Sequence, residues 1–589
     1  MLLFLAACDV TRDVRERAPY ALRGAAGYVE GLDPSGLELH ESRSGRTLVL
    51  AIGHSESVAG PRRYLVERPG RELRLFDGLP TLADGTLVLD PGELRWNDLR
   101  RLEGPGAALR AQLDDDTLEV VTSPLGLLPV FRCEAPSGGL LISNSVLTLR
   151  LLAGLEEPDP VGVSSLLALG WTVGDRTLTE GIRALPGGSR LTVSDRGIKI
   201  DQRMGPATLA EHEDAPDPVA LAELLVERTR ELRSLDGPVE CPLTAGRDSR
   251  LCLALLRAAR VPATCYTGVS TGDIDVRVAS DLARLWNLPH RLERHEALFT
   301  EDAGHLARQF VFQNDGLSSF EQVADQAGQL ETPRELGVKV SGLGGELARS
   351  GFAPIMGPAA AARPFADMPS LQRRFLSMKA RASRGVVKAE AVRTTRNYLR
   401  AFVDARRAEG WPAHATGQAF YAFERIGRWA ATGVRRTAPT ADIFSPFFST
   451  PFLSAALAHS GPKWITEQLH YNLMTELDPG LRDAPYADPW PSQRQKLAGV
   501  YATAASAKAV AERLRGRDLD GTNDIAADWV AKNADVHLDV VSRARDTSIE
   551  ELIDVHALER ELSGGTPPDS STLRALSAIW WLYGLETPR

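Results

Sequence analysis

Three stretches of this chain carry residue types and spacings suited to polyphosphate chemistry. The first is Thr244-Ala245-Gly246-Arg247-Asp248-Ser249, which follows the short apolar run Val239 to Leu243 and opens an apolar-periodic segment from Leu251 to Arg260. Strand, small-residue loop and helix in that order place free backbone N–H groups and the positive end of a helix dipole where an anion can sit. Ser249 can cap the helix, and Asp248 can hold a metal ion beside the anion. The competing reading is an ordinary turn with a capping serine. The second stretch ends at Gly268, after the β run from Ala263. The third is Ser341-Gly342-Leu343-Gly344-Gly345-Glu346, whose glycines permit close backbone approach to a bulky group and whose Glu346 adds a second carboxylate. Two carboxylates from different strand ends, beside a helix start, supply the amide donors and hard oxygen ligands that Mg²⁺-pyrophosphate requires. Taken alone, the third loop also reads as a glycine-rich turn with a structural acid. No Gly-Lys-Ser/Thr follows the first loop, so it is not a Walker A sequence, and neither loop is a GxGxxG fingerprint.

The elements that position these loops are legible from Val219 to about Phe352. Helical periodicity at Val219–Leu235, Ser249–Arg260 and Asp273–Asn287 alternates with β runs at Val239–Leu243, Ala263–Gly268 and Gly337–Gly342. Alternation at that interval predicts βαβ units and a parallel sheet, whose ligand sites lie at the carboxyl ends of the strands. All three loops fall there. Residues 1–205 read differently: short apolar runs such as Arg46–Ile52 and Thr117–Val121 between Gly, Pro and Asp turns predict a layered antiparallel β domain with a helix or two. A polar, proline-containing linker, Glu211 to Pro218, separates that domain from 217–589, and after about 354 the pattern is almost wholly helical. Residues 373–407 hold eleven Arg or Lys against Glu390 and Asp404. That run is either a solvated helix face or a docking surface for an acidic peptide or protein. Trp580, Trp581 and Tyr583 read as anchors of a core helix.

Composition narrows the class. A chain of 589 residues exceeds one core, and 43% hydrophobic with 25% charged residues is ordinary for a globular protein. A net charge of −9 argues against bulk electrostatic binding of nucleic acid. Five cysteines without a CxxC pair and eleven histidines without HxxxH or HxH spacing give neither a disulfide framework nor a zinc site. Met1 to Cys8 is too short and too uncharged at its start for a signal segment and is expected to be a first β-strand; no run of 18 apolar residues follows. The expectation is a cytoplasmic protein.

Thr244-Ala245-Gly246-Arg247-Asp248-Ser249 resembles the pyrophosphate loop of AMP-forming ATP enzymes, usually Ser-Gly-Gly-x-Asp-Ser, with Gly246, Asp248 and Ser249 retained. The whole chain resembles the asparagine synthetase family. Ser123–Val130 is similar to its Asp-x-x-Gly-x-x-Pro-Leu turn, Leu141–Ser145 to the strand that follows, and Leu169–Leu178 with Gly181–Gly188 to the domain junction. Ser341–Glu346 is similar to Ser-Gly-Glu-Gly-Ala-Asp-Glu. The resemblance implies an amidotransferase-like antiparallel β-sandwich, then a parallel-sheet ATP-pyrophosphatase domain with a large helical part. It implies ATP and Mg²⁺ as cofactors, with Thr244, Ala245, Gly246, Arg247, Asp248, Ser249, Gly268, Ser341, Gly342, Gly344 and Gly345 around the nucleotide and Asp248 and Glu346 on the metal. Glutamine-using members begin Met-Cys, whereas this chain begins Met1-Leu2, and Cys8 has a peptide nitrogen, so the ammonia-releasing half-reaction is expected to be lost.

Family members without that cysteine include the β-lactam synthetases and the lasso-peptide cyclases, which adenylate a carboxylate and let an amine of the same substrate attack. Arg494-Gln495-Lys496 matches the family's Arg-x-Lys segment, implying a transition-state role for Lys496, beside the plain alternative of a solvated lysine. Tyr421 to Arg436 and Asp442 to Phe448 resemble the family's substrate-side helix and loop. Tyr421, Glu424 and Asp442 are therefore candidates for deprotonating the amine, with a structural carboxylate as the alternative at Asp442. The resulting expectation is a lasso-peptide macrolactam cyclase acting on a peptide delivered by a leader-peptide-binding protein and a leader protease, with no nucleic-acid or membrane partner. The rivals are a small-molecule amide ligase or β-lactam-type cyclase, an ammonia-dependent asparagine synthetase, and an inactive scaffold.

Overall fold

The computed structural model describes residues 2–29, 31–54, 65–68, 71–79, 81–88, 95–99, 102–136, 138–202, 216–235, 237–268, 273–293, 298, 302–330, 337–349, 385–411, 416–458, 467–486, 490 and 524–585. Leu2–Cys8 is a strand with every residue buried, because both of its faces are covered. It lies inside a six-stranded antiparallel sheet ordered Arg183–Ala184, Phe131–Glu134, Leu140–Ser143, Leu2–Cys8, Thr47–His54, Leu32–Glu41. Leu3, Leu5 and Ala7 share a core with Val14, Ala18 and Leu22 of the helix Arg12–Ala26. Leu2, Phe4, Ala6 and Cys8 pack on Leu73, Leu75, Leu109 and Val120 of a second six-stranded antiparallel sheet. Alternating side chains thus cement two sheets and a helical layer through one strand. Burial pushes the Cys8 thiol up to about 12, the opposite of an activated nucleophile.

The second half is built on a five-stranded parallel sheet ordered His290–Glu293, Thr264–Gly268, Val239–Pro242, Gly337–Val340, Ala441–Phe444. The molecule is accordingly a mixed α/β fold. The helices between the expected strands run Pro218–Arg230, Arg247–Ala259 and Asp273–Leu285. Two strands went unread in the sequence. His290–Glu293 is spelled with three polar residues of four, and Ala441–Phe444 is four residues long inside a helical stretch. The second is the one strand among the described elements beyond residue 354, the others being helical as expected. A further correction concerns the helix start: Gly246 occupies the N-cap, with no side-chain cap, and Ser249 lies in the first turn.

Of the basic stretch 373–407, residues 373–384 lie outside the described residues, as do 203–215 of the linker. The helix Ala389–Ala408 buries Ala391, Thr395, Leu399 and Val403 and exposes Arg393, Arg396, Arg400 and Arg407. Phe420–Ala430 is π-helical, and no described helix is long and apolar enough to cross a membrane.

Polar contacts join the two halves. Asp315, fully buried, forms an ion pair with Arg435 at 2.6 Å and accepts from the Leu147 amide at 2.9 Å and Ser145 Oγ at 3.1 Å. Arg435 also donates to the carbonyls of Gln313, at 3.0 Å, and Asn144. Trp580 and Trp581 are buried as expected; Trp580 Nε1 donates to His537 Nδ1 at 3.1 Å, and Trp581 Nε1 to Thr179 Oγ1 at 2.9 Å.

Two outcomes follow from these buried groups. Arg435→Met leaves the Asp315 charge unpaired and should cost about 3–5 kcal/mol in urea unfolding, with Asp315→Asn in the same chain recovering part of the loss. Burial lowers the His537 pKa from 6.5 to about 3. The unfolded chain therefore binds the extra proton first, so this group's stabilisation is complete above about 6.5 and is lost as pH falls toward 3. In His537→Phe the slope of thermal midpoint against pH should flatten across that window, and an unchanged slope would contradict the assignment.

Candidate functional site

The carboxyl ends of three adjacent parallel strands bring the expected loops to one edge of the sheet. Gly268 ends its strand, the Thr244–Ser249 loop follows the central one, and Ser341–Glu346 follows the next. The second and third of these touch. A Cβ on Gly345 would stand 2.5 Å from Asp248 Oδ1, and one on Gly342 would stand 3.0 Å from Asp248 Cβ. A side chain at Gly345 would force Asp248 to shift, and one at Gly342 would crowd it, which is why small residues suit that loop.

Asp248 is the centre of the site. Its side chain is only 15% exposed; Oδ1 accepts from His470 Nε2 at 2.8 Å, and Oδ2 from Arg349 Nη2. Burial opposes ionisation of this carboxyl, but Arg349 and His470 outweigh it and hold the pKa below the ordinary carboxylate value. Glu346 goes the other way: burial first, and the Asp248 charge second, push it up to about 7. Glu346 Oε2 accepts from the Gly344 amide at 3.1 Å, closing the loop on itself. Two carboxylates against one guanidinium leave an excess of negative charge in a partly dry site. Hard oxygens in that number suit Mg²⁺, which commonly takes one or two protein carboxylates and completes its shell with phosphate and water. Asp248 keeps lone pairs beyond those used by Arg349 and His470 and could offer one to such an ion, although among the described residues no group of three or more His, Cys, Asp or Glu side chains is arranged to hold a metal.

The first loop is internally braced. Thr244 Oγ1 and Ser249 Oγ are 2.8 Å apart, the Gly246 amide donates to Thr244 Oγ1 at 3.0 Å, and the Ala245 amide donates to Asp275 Oδ1 at 2.7 Å. Arg247 forms an ion pair with Glu467 at 2.7 Å, its guanidinium 5.2 Å from the centre of the Trp490 ring. Arg250, unflagged by the motif, stacks on Tyr486 at 3.8 Å and donates to the carbonyl of Ala484 at 3.3 Å. On the other side, Ser341 receives the Cys252 thiol on its carbonyl at 3.5 Å, and its own amide donates to the Phe444 carbonyl at 2.8 Å.

The amine-side candidates separate. Tyr421 is close enough that, after burial, the Glu346 charge is the main influence raising its phenol above the ordinary value. Glu424 does not join it: Oε2 accepts from the Gly174 amide at 2.7 Å and Oε1 from Tyr398 OH at 3.0 Å. Glu424 thus ties the two halves together, on the wall of a cavity of about 500 Å³ that Tyr398, Phe402, Arg406, Phe423 and Arg428 also line. Asp442 sits in its strand opposite Val338, two residues before the strand ends at Phe444. Arg494 and Lys496 lie outside the described residues. Arg349 and His470 were missed by sequence reasoning. Arg349 lies three residues past Glu346 in the same loop, a position that could have drawn notice; His470, on the helix Gln468–Leu477, has no local signal.

Gly345→Ala tests the packing directly. The added methyl must displace Asp248, at about 1–3 kcal/mol of overpacking in denaturant unfolding. Gly342→Ala, which meets a 3.0 Å neighbour, should cost less.

No family model matches the chain, and no curated protein matches it. Among solved structures it aligns with an allosteric regulatory enzyme of purine biosynthesis at 10% identity and TM-score 0.22, over 50% of this chain and 65% of that one. It also aligns with glutamine phosphoribosylpyrophosphate amidotransferase from B. subtilis complexed with ADP and GMP, at 10% identity and TM-score 0.22, over 50% of this chain and 66% of that one. The chain thus spans just under two thirds of the length of either enzyme.

Proposed function

We propose that this chain is an AMP-forming, ATP- and Mg²⁺-dependent amide ligase, and within that class a macrolactam cyclase of lasso-peptide type. The observation that carries the ligase reading is the packing of Asp248, at the start of the helix Arg247–Ala259, against Gly342 and Gly345 of the loop that carries Glu346, at the ends of two adjacent parallel strands. An Asp or Glu side-chain carboxylate of the peptide attacks the α-phosphorus of ATP. The bond to the bridging oxygen breaks, and pyrophosphate departs with its electron pair. The peptide's N-terminal amine then attacks the acyl carbon, loses a proton and displaces AMP.

In this scheme Asp248 and Glu346 would hold Mg²⁺, which when bound would supply charge neutralisation for the departing pyrophosphate. Arg349 and His470 fix the orientation of Asp248. Tyr421, whose phenol is raised by burial and then by the Glu346 charge, is the amine-side candidate kept in this scheme. Lys496, through its match to the family segment, would face the developing oxyanion. The peptide substrate, and the leader-binding protein and protease that would deliver it, belong to the same proposal.

A scaffold with no catalysis is the second reading, and one observation favours it: the Ala245 and Gly246 amides are already engaged by Asp275 and Thr244. Isotope exchange between ATP and pyrophosphate, run with Asp- or Glu-bearing peptides, separates the two. The ligase should exchange label only with its acid present, and Asp248→Asn or Lys496→Ala should lower the rate at least about 100-fold, as loss of a transition-state charge contact does. Full exchange by either variant would refute the site assignment, and no exchange with any acid would favour the scaffold.

A further inference from the structure

Two polar atoms on the partners of Asp248, Arg349 Nε and His470 Nδ1, are buried without a partner among the described residues, and the arginine is the one whose charge is permanent. Arg349 Nε is shut off from solvent and has no acceptor among the described residues, although Nη2 of the same side chain is held by Asp248. Buried N–H groups are almost always paired, and a guanidinium donor more so, since its charge makes the lost bond expensive. The side chain does not reach this position by looseness of its loop. Gln418 Nε2, on a neighbouring helix, donates to the carbonyls of Leu347 at 2.7 Å and Arg349 at 3.0 Å, pinning the backbone on which Arg349 stands. Asp248 and Glu346, acting against burial, raise the Arg349 pKa, so the group stays a cation.

The first loop sharpens the point. Of the small-residue amides that would be offered to a polyphosphate, Ala245 donates to Asp275 and Gly246 to Thr244. Anion recognition therefore falls more heavily on side-chain donors than in a loop with open amides. A guanidinium presents several N–H groups in a fixed plane, so one edge can serve a carboxylate while another serves a phosphate oxygen. His470 stands on the opposite oxygen of Asp248, which keeps that carboxylate from following the arginine when a second anion enters.

We infer that Arg349 is a pyrophosphate-binding residue: its Nε–H donates to an oxygen of the polyphosphate while its terminal nitrogen stays on Asp248. This rests on the ligase reading and adds to it a residue outside the motif, one that recognises the leaving pyrophosphate rather than the adenylate. A purely structural Arg349, there only to neutralise Asp248 and Glu346, would affect folding but would not discriminate between ligands.

Calorimetric titration of the full chain with Mg²⁺-pyrophosphate, and separately with Mg²⁺-ATP and AMP, tests it without turnover. Arg349→Gln should weaken pyrophosphate binding at least about tenfold, the size of one charge-assisted hydrogen bond, and leave AMP binding within about twofold. Arg349→Lys keeps the charge beside both carboxylates but lacks the fork; it should fold with a near-wild-type thermal midpoint and still lose most of the pyrophosphate affinity. Wild-type pyrophosphate affinity in a folded Arg349→Lys, or equal losses for pyrophosphate and AMP in both variants, would overturn the assignment. A wild-type chain that binds neither ATP nor pyrophosphate would overturn the ligase reading and this inference with it.

Discussion

The pairing of Asp248 with Arg349 and His470 is the interaction on which the arrangement depends. A carboxylate at the first turn of a helix, with a second carboxylate next to it, is not stable as two bare charges in a half-dry cleft. The guanidinium and His470 hold the Asp248 carboxyl below the ordinary range, while burial and the neighbouring Asp248 charge push that of Glu346 upward. What the chain builds is a site in which, among the described residues, Arg349 is paired with Asp248 and Glu346 lies in the adjoining loop. Such a balance can accept a divalent cation together with a polyphosphate, because each brings the charge the other needs.

The fold serves that balance by bringing two loops closer than side chains would allow. Parallel strands place the Thr244 and Ser341 loops on neighbouring carboxyl ends, and Gly342 and Gly345 remove the atoms that would otherwise collide with Asp248. The rest of the molecule is tied to this sheet by polar contacts. Asp315 with Arg435 links the β half to the helical part, and Glu424 with Gly174 and Tyr398 does the same near the π-helical segment that carries Tyr421. The β half therefore shares buried, charged anchors with the residues around the site rather than resting on an apolar face alone.

Periodicity made the architecture around the site readable, because buried strands between amphipathic helices leave an apolar signature. It failed where that signature is absent: His290–Glu293 has polar residues at three of four positions, and Ala441–Phe444 is too short to stand out from its helical neighbourhood. Asp248 and Glu346 could be singled out only as a pair, because each loop taken alone also reads as a turn with a structural role, whereas two carboxylates at neighbouring strand ends point to one shared site. The contact of Glu424 with the Gly174 amide, 250 residues away, could not be read locally, since an acid near a tyrosine in sequence says nothing about so distant a partner. Arg349 and His470 are joined to Asp248 only by tertiary contact, which no local pattern encodes.

The claim at the centre of this account is that a substrate carboxylate is activated on the α-phosphorus of ATP, at the site formed by Asp248 and Glu346. Incubating the chain with Mg²⁺-ATP and a peptide whose Asp or Glu carboxylate carries ¹⁸O, then analysing the nucleotide by mass spectrometry, tests it most directly. The account predicts AMP bearing one ¹⁸O atom for each bond formed. Label in inorganic phosphate, with ADP as the nucleotide product, would contradict it.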